Sequence, residues 1–489
     1  MPTMQVRSLW PFGVMALAAI LVLLTQRQLL GYFYFGDEGE TIVAAQMMAA
    51  GDRLYTGIFN HHGPLTFYLP MAVEALTNGG LRASRVAIAV LQWLALAAVY
   101  FSPMLRDGVA RMVCALLAAT VMVGYLPEAM GHTMQYHVLA GLMTLVALCQ
   151  YVVPSIARVP LAPWRIALGS ALLASLPFLA VTYLPLSVLL FASSLRTGTK
   201  RLALVGAGSA IAVNLVGLAA TGSMAGYLVE HFYINSKLLR PFSGQPSVAA
   251  MVPMIARALS ASLLPFAVLC GAVAIGGVLA RYEGTRLPWR TLLTGAALCS
   301  VLLRGVGPHE LYTLPLAYGA LALPVVLFGL TGARHARGLL VVAIALICLV
   351  RLADVGLTDR KRYAAKPLPL RTEFGDLAQA MTAPGERILA YSFAPHEYLA
   401  AKRLPASAQF FYLPWQAEYE RQPPVLGVAL NACADIVKNK PKLILLDRWL
   451  VFDRYPWESY AGCVQEIVDR DYVRVEGKPY YVLRGAQTR

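Results

Sequence analysis

The chain has 489 residues, 58% of them hydrophobic and only 14% charged, and a mean hydropathy of +0.59. That composition excludes an ordinary soluble protein of this size. The net charge of +15 does not point to nucleic acid, because most early cations fall in short turns between apolar blocks rather than on a basic, stacking-rich surface. Five of the seven cysteines (Cys114, Cys149, Cys270, Cys299 and Cys348) sit inside those blocks, where thiols pack as small hydrophobes.

The first block, residues 10–30, has the length of one membrane-crossing helix. Arg7 precedes it and no small-residue cleavage pattern follows, which predicts an uncleaved anchor. Further blocks run through 86–105, 109–126, 134–153, 166–195, 202–220, 249–280, 291–303, 311–330 and 338–352. The block 166–195 is too long for one crossing, and the proline in "LAVTYLPL" (179–186) divides it into a hairpin of two short helices. Eleven spans result.

Alternate connections hold thirteen basic residues (Arg7; Arg106, Arg111; Arg158, Arg165; Arg196, Lys200, Arg201; Arg281, Arg286, Arg290; Arg334, Arg337) against Asp107 and Glu283. The positive-inside rule then places the N-terminus in the cytoplasm and "FGDEGE" (35–40) outside. An odd number of spans puts the C-terminus outside as well. Residues 1–352 are therefore read as a helical membrane body with long outer connections at about 31–85 and 221–248.

After the first span, "GDEGETIVAAQMMAAGDRLYTGIFNHHGPLTFYLP" (36–70) packs Asp37, Glu38 and Glu40 into four positions. Ile42, Val43, Met47 and Met48 mark one face of a short helix ending at Gly51, which predicts a helix lying in the membrane interface. Glu40 is expected to be solvated. Pro64 suits the start of a second helix.

Beyond 352 no span-length apolar run occurs. "TDRKRYAAKPLPLR" (358–371) reads as a juxtamembrane linker. "RILAYSF" (387–393) and "PKLILLDRW" (441–449) read as buried parallel strands, with "ADIVKNK" (434–440) ending a helix between them. "YVRVEGKPYYVLR" (472–484) reads as a terminal hairpin turning at Glu476-Gly477. Residues 353–489 are thus a small α/β domain outside the membrane, in which Cys433 and Cys463 are close enough in role to form a disulfide in an oxidising compartment.

The order Asp37-Glu38-Gly39, a helix ending in Gly51-Asp52, "LYTGIF" (54–59) and "HHGPLTFYLP" (61–70) resembles the first outer loop of the C-type (GT-C) glycosyltransferases. The nearest branch is the protein mannosyltransferases and lipid A aminoarabinose transferases of glycosyltransferase family 39 and its bacterial relatives. The resemblance implies that Asp37 is the catalytic base, with Glu38 beside it. It also places His62, next to His61, where that loop carries a lysine near the donor phosphate. "VEHFYINSKLLRPFSGQ" (229–245) is similar to a loop with a Glu-His start and a later arginine, here Arg240, near the phosphate. "GPHELYTLPLAYGAL" (307–321) is similar to the last outer loop, bringing His309 and Tyr312. The sequence departs from the pattern where those enzymes carry a second acid. "PEAMGHTMQYHVLAGL" (127–142) has none at the helix start, and offers Glu128, His132 and His137 instead. A divalent metal ion is therefore left open, and no other cofactor is called for.

The implied chemistry is simple. A sugar on a polyprenyl phosphate has a leaving group that needs no general acid. The enzyme must remove one proton from an acceptor hydroxyl and offset charge growing on the phosphate. Asp37 supplies the first need; His62, Lys237, Arg240, Arg304 and His309, all on the outer side of this topology, supply the second. With a single carboxylate, the anomeric centre inverts. The expected partners are a polyprenyl-phosphate sugar donor, membrane lipid, and an acceptor glycolipid such as lipid A, a surface glycan or a protein, at the outer face of the inner membrane. A secondary transporter and a non-catalytic membrane partner remain as rivals. Against transport, the ionisable residues cluster in outer loops rather than mid-span, and no repeated half is visible.

Overall fold

A computed structural model describes residues 10–32, 36–243, 253, 256, 263–304, 313–331, 338–365, 368–392 and 395–486. Four helices open the chain: α1 (Trp10–Leu29), α2 (Gly36–Ala49), α3 (Leu65–Thr77) and α4 (Gly80–Tyr100). Apolar helices then follow at Gly108–Gly124, Tyr136–Ile156, Pro163–Ser175, Leu184–Ser194, Lys200–Thr221, Leu263–Glu283, Trp289–Ser300, Leu314–Thr331 and Gly338–Ala365. With α1 and α4 these fall on the blocks read from the sequence. Six are long and apolar enough to cross a membrane by themselves: α1, α4, Tyr136–Ile156, Lys200–Thr221, Leu314–Thr331 and Gly338–Thr358. The chain is a multi-pass helical membrane protein.

The apolar exposure shows how the bundle is arranged. In α1, Phe12, Leu17, Ile20, Leu23 and Leu24 point outward, as do Val205, Val213 and Val216 on Lys200–Thr221 and Leu339, Ile347 and Val350 on the last helix. Such stripes suit hydrocarbon and not water. Tyr136–Ile156 is the opposite case, 89% buried, and forms the centre of the bundle. This helix starts at Tyr136-His137, so those two residues stand at the middle of one end of the bundle.

The hairpin inferred from the proline at 185 is present. Pro163–Ser175 and Leu184–Ser194 are joined through short 3₁₀ turns at Leu176–Phe178 and Val181–Tyr183. The first outer loop packs on its tip. The Gly63 N–H donates to the Leu179 carbonyl at 2.9 Å, and a Cβ at Gly63 would lie 2.1 Å from the Phe178 carbonyl oxygen. Only glycine fits there, which gives the Gly-Pro of "HHGP" a steric cause.

Two expectations change. The helix α2 was expected to lie on the membrane with one apolar face down; instead both faces are buried, including Gly39, Ala44 and Ala45 as well as Ile42, Val43, Met47 and Met48. The reason is a roof: the outer domain sits on it, and a Cβ on Gly39 would come 3.6 Å from both Pro395 and the His396 nitrogen. The 358–371 stretch is helical through Ala365 as an extension of the last span, because no proline interrupts it before Pro367.

The C-terminal part of the chain carries a four-stranded sheet of β1 (Leu389–Tyr391), β2 (Leu443–Leu446), β3 (Tyr472–Arg474) and β4 (Tyr480–Leu483), ordered β1-β2-β4-β3. The strands β1 and β2 are parallel, with Ala390 opposite Leu445, and every residue in both is buried, as continuous apolar strands require. The hairpin β3–β4 is antiparallel, with Val473 opposite Val482, and Gly477 takes the positive φ (72°) of its turn. Cys433 on the helix Ala432–Asn439 is bonded to Cys463 on Gly462–Asp471, with Cα atoms 6.3 Å apart. The domain is fastened to the first loop by Phe59 N–H donating to the Ala408 carbonyl (2.8 Å) and by the Arg387–Asp52 ion pair (2.8 Å). One hydrophobic core runs through both, joining Tyr55, Ile58 and Phe59 to Phe410, Phe411 and Leu443.

Candidate active site

The start of α2 stands where the end of α1, α4 and the C-terminal domain meet. Asp37 lies in its first turn, half-buried. Its neighbour Glu38 is fully buried and paired with Arg85 of α4: the guanidinium donates to both carboxylate oxygens, Nε at 2.9 Å and Nη2 at 2.6 Å. Nη1 also donates to the carbonyls of Leu29 (3.0 Å) and Tyr32 (2.6 Å). One guanidinium therefore ties the end of α1, the start of α2 and α4 together, in the forked geometry that arginine alone offers. The pair holds Asp37 in place from behind.

Glu40 is buried rather than solvated. Its Oε1 accepts from Asn60 Nδ2 at 2.7 Å. Asn60 in turn accepts the His62 N–H on its Oδ1 (2.9 Å) and donates its own N–H to Glu230 (2.8 Å). Burial, and after it the charge of Asp37, push Glu40 up to about 8, against the Asn60 hydrogen bond. Glu230 is fully buried and raised well above the ordinary carboxyl range, chiefly by desolvation. Asp37 and Glu40 thus form an acidic pair in which burial and its neighbour's charge make Glu40 hold its proton more tightly than a free carboxyl.

His61 and His62 lie beside Glu40, their rings 4.2 Å apart between centroids. The His62 ring packs 4.4 Å from Tyr136, which in turn meets His137 edge-on at 4.9 Å. Each backbone is clamped. The His61 carbonyl receives His231 Nδ1 (3.0 Å) and Asn235 Nδ2 (2.8 Å), and the His62 carbonyl receives Tyr55 OH (2.7 Å). Because His231 Nε2 accepts the Val181 N–H (3.1 Å), its proton must sit on Nδ1. One oxygen of Glu40 and one ring nitrogen each of His61 and His62 all lie within 4.8 Å of one another.

The sequence-named residues thus divide. Asp37, His61, His62 and His137 gather near the N-terminal end of the central helix, with Glu38 next to Asp37 and accepting the Met134 N–H just before that helix. Lys237 and Arg240 lie exposed on and just after the segment Leu228–Leu239, whose inner side holds His61 through His231 and Asn235. That segment is wound as a π-helix, a winding rare outside functional sites. Glu128 lies on the 3₁₀ turn Leu126–Ala129 and Arg304 ends the turn Val301–Arg304. His309 and Tyr312 lie outside the described residues. His132 is buried edge-on against Tyr32 at 5.7 Å. Sequence reasoning missed Arg85 and Asn60, and it noted the Glu230-His231 pair without giving either residue a role. Arg85 carried a readable signal, since an arginine inside an apolar helix is costly unless paired.

No protein-family model matches the chain, and no curated protein matches it. Solved structures do. The oligosaccharyltransferase of Archaeoglobus fulgidus, in its apo form, superposes with a TM-score of 0.51 at 13% identity, covering 91% of this chain and 70% of that one. The chain has the GT-C fold. ArnT from Cupriavidus metallidurans, solved bound to undecaprenyl phosphate, gives a TM-score of 0.49 at 14% identity over 81% of this chain and 85% of that one. At these identities the likeness to the GT-C structures is one of fold, and roles for single residues come from the geometry above.

Proposed function

We propose that this GT-C protein is an inverting glycosyltransferase that moves a sugar from a polyprenyl-phosphate donor to an acceptor at the outer face of the inner membrane. The observation that carries the reading is the placement of Asp37. It is a half-buried carboxylate in the first turn of α2, next to the Glu38–Arg85 pair and beside Glu40, whose carboxylate lies within 4.8 Å of ring nitrogens of His61 and His62. In the reaction, Asp37 takes the proton of the acceptor hydroxyl. The acceptor oxygen bonds to the anomeric carbon from the face opposite the phosphate. The carbon–oxygen bond to the phosphate breaks, and its electron pair leaves on the phosphate oxygen. Lys237, Arg240 and Arg304, with His309 and Tyr312 from the last outer loop, are assigned to the donor phosphate; His62 and His137 line the reacting end.

The N-terminus is assigned to the cytoplasm and residues 353–489 to the outer side. The Cys433–Cys463 bond supports this side, since disulfides persist in oxidising compartments. Lipid A or another lipopolysaccharide component, a surface glycan and a protein are the acceptor classes.

The test compares strains by mass spectrometry of lipid A, O-antigen and surface proteins. A pentose- or hexose-sized shift should vanish on deletion of the gene and return with the wild-type copy. It should not return with Asp37→Asn, which keeps the side-chain shape and removes the base, at an expected loss of about 10²–10⁴ in rate. Full restoration by Asp37→Asn, in protein expressed at wild-type level, would overturn the assignment.

A further inference from the structure

We propose that the end of the bundle farthest from the first loop binds an anionic phospholipid, with its phosphodiester on Lys200 and Arg201 and an acyl chain along the helix they begin. The helix Lys200–Thr221 has 22 residues, a length of about 33 Å. The Thr221 carbonyl accepts the Leu54 N–H of the first loop (3.0 Å), so Lys200 stands a membrane's width away from that loop. At this far end an open groove is lined by Thr197, Lys200, Arg201, Leu204 and Val205. Two cations at its head and two aliphatic side chains below them suit the two halves of a phospholipid.

The cations at this end outnumber the acids. Among the described residues, Arg158, Arg165, Arg196, Lys200, Arg201 and Arg290 make no ion pair. Arg158 and Arg196 are charged neighbours of Arg290, so like charges gather here. The acids of these connections, Asp107 and Glu283, are spent on helix starts. Asp107 accepts the Ala110 N–H (2.8 Å). Glu283 offsets part of the Arg290 charge, yet it is buried and its two oxygens accept the N–H groups of Arg290 and Thr291 (both 3.1 Å) and the Thr291 hydroxyl (2.8 Å). Neither acid reaches Lys200 or Arg201. No side chain caps Lys200–Thr221, so its first N–H groups are left for an anion as well.

The depth is that of lipid head groups. Trp164 and Trp289 are exposed at this end, with the Arg165 guanidinium 4.6 Å over the first ring and that of Arg290 5.0 Å over the second. Such rings settle at the boundary of membrane and water. Below Leu204 the same helix face continues through Gly208, Ile211 and Leu215. The three aliphatic side chains are exposed, and a Cβ at Gly208 would meet nothing within 4 Å, so an acyl chain finds open space there. Hydrocarbon alone covers such a face; a phosphate on the two cations is what ties one lipid to it.

The test is native mass spectrometry of full-length protein in mild detergent, with phosphatidylglycerol, phosphatidylethanolamine, a polyprenyl phosphate or inorganic phosphate added in turn. Retention of phosphatidylglycerol should exceed that of zwitterionic phosphatidylethanolamine by roughly tenfold or more, because only the first carries net charge to the cations. Lys200→Gln combined with Arg201→Gln should remove most of that preference. Both side chains are exposed, so the double variant should melt with the wild type when no lipid is added. Arg281→Gln combined with Arg286→Gln removes the same charge from exposed positions at the same end and should leave the preference in place. Gly208→Trp fills the space for the chain and should weaken retention with both cations intact. Millimolar inorganic phosphate should not displace the lipid. Equal losses in the two double variants would mean diffuse attraction without a site. That result would overturn the proposal, as would equal retention of the two phospholipids, displacement by inorganic phosphate, or tighter retention of the polyprenyl phosphate. Transfer is not the readout, so this site and the role of Asp37 stand or fall separately.

Discussion

Glu38 and Glu40 sit two residues apart on one helix, both buried, and the fold treats them differently. Residues two apart on a helix look in different directions. Glu38 looks toward α1 and α4 and meets a guanidinium that matches both of its oxygens. Glu40 looks toward the loop 54–62, where the Asn60 amide donates to it and the His61 and His62 rings lie close by. The first carboxylate is neutralised and saturated with hydrogen bonds, so it has nothing left to offer a ligand. The second has no cation among its described hydrogen bonds and stands beside another acid, so burial and repulsion raise its proton affinity. A buried acid with a matched arginine is a fastening; one without is a place for a proton.

The largest expected effect breaks the fastening. Arg85→Ala strands Glu38 uncompensated and also frees the carbonyls of Leu29 and Tyr32. Removing one partner of a buried pair costs about 3–5 kcal/mol, to be read as a large drop in the melting temperature of detergent-purified protein. The double change Arg85→Met with Glu38→Met should recover much of that loss, because the apolar pair leaves no buried charge. If Arg85→Ala melted with the wild type, the contrast between the two acids would have no energetic content.

The other side is held by packing, and a smaller change tests it. Gly63→Ala would drive a methyl to 2.1 Å from the Phe178 carbonyl oxygen, so either the loop or the hairpin tip must move. Overpacking of this kind costs about 1–3 kcal/mol. Because His61 and His62 directly precede Gly63, transfer activity should fall by more than the loss of stability explains. A variant that keeps full activity would show that the two histidines do not depend on this contact.

Much of this arrangement was legible in the chain itself. Uncharged blocks of about twenty residues give away helices in hydrocarbon, and the LILL and LAY strands, the Glu476-Gly477 turn and the cysteine pair are local signals that the outer domain obeys. The quoted loop 36–70 does contain the acid–histidine group. What was not legible depends on distant partners. Glu40 reads as a solvated first-turn acid until the outer domain is known to cover α2. Asn60 reads as a loop residue, yet its backbone and side chain join Glu40, His62 and Glu230, a residue 170 positions away. The inward faces of Glu230 and His231 follow from π-winding, which the 3.6-residue period does not describe. Arg85 fell just outside the block assigned to the second span, because α4 begins at Gly80 rather than at 86.

The smallest expected effect concerns Glu230, a third buried acid that extends the comparison. It faces Asn60, whose N–H it accepts, and lies near the phenols of Tyr55 and Tyr419. Its carboxyl is raised well above the ordinary range by burial, so it stays protonated in the folded chain when the unfolded chain has already released the proton. The sign follows from linkage: as pH rises above about 4.5 the unfolded state gains by ionising and the folded state does not, and stability falls until the folded carboxyl itself ionises. One such group contributes at most about 1.4 kcal/mol per pH unit. Glu230→Gln mimics the protonated form and still accepts from Asn60. It should melt with the wild type near pH 5 and above it by a margin that widens toward pH 8, while transfer at pH 7 changes less than threefold. A margin that stays constant across that range would mean that Glu230 is ionised in the folded protein, and would place it with Glu38 as a charge the fold has compensated.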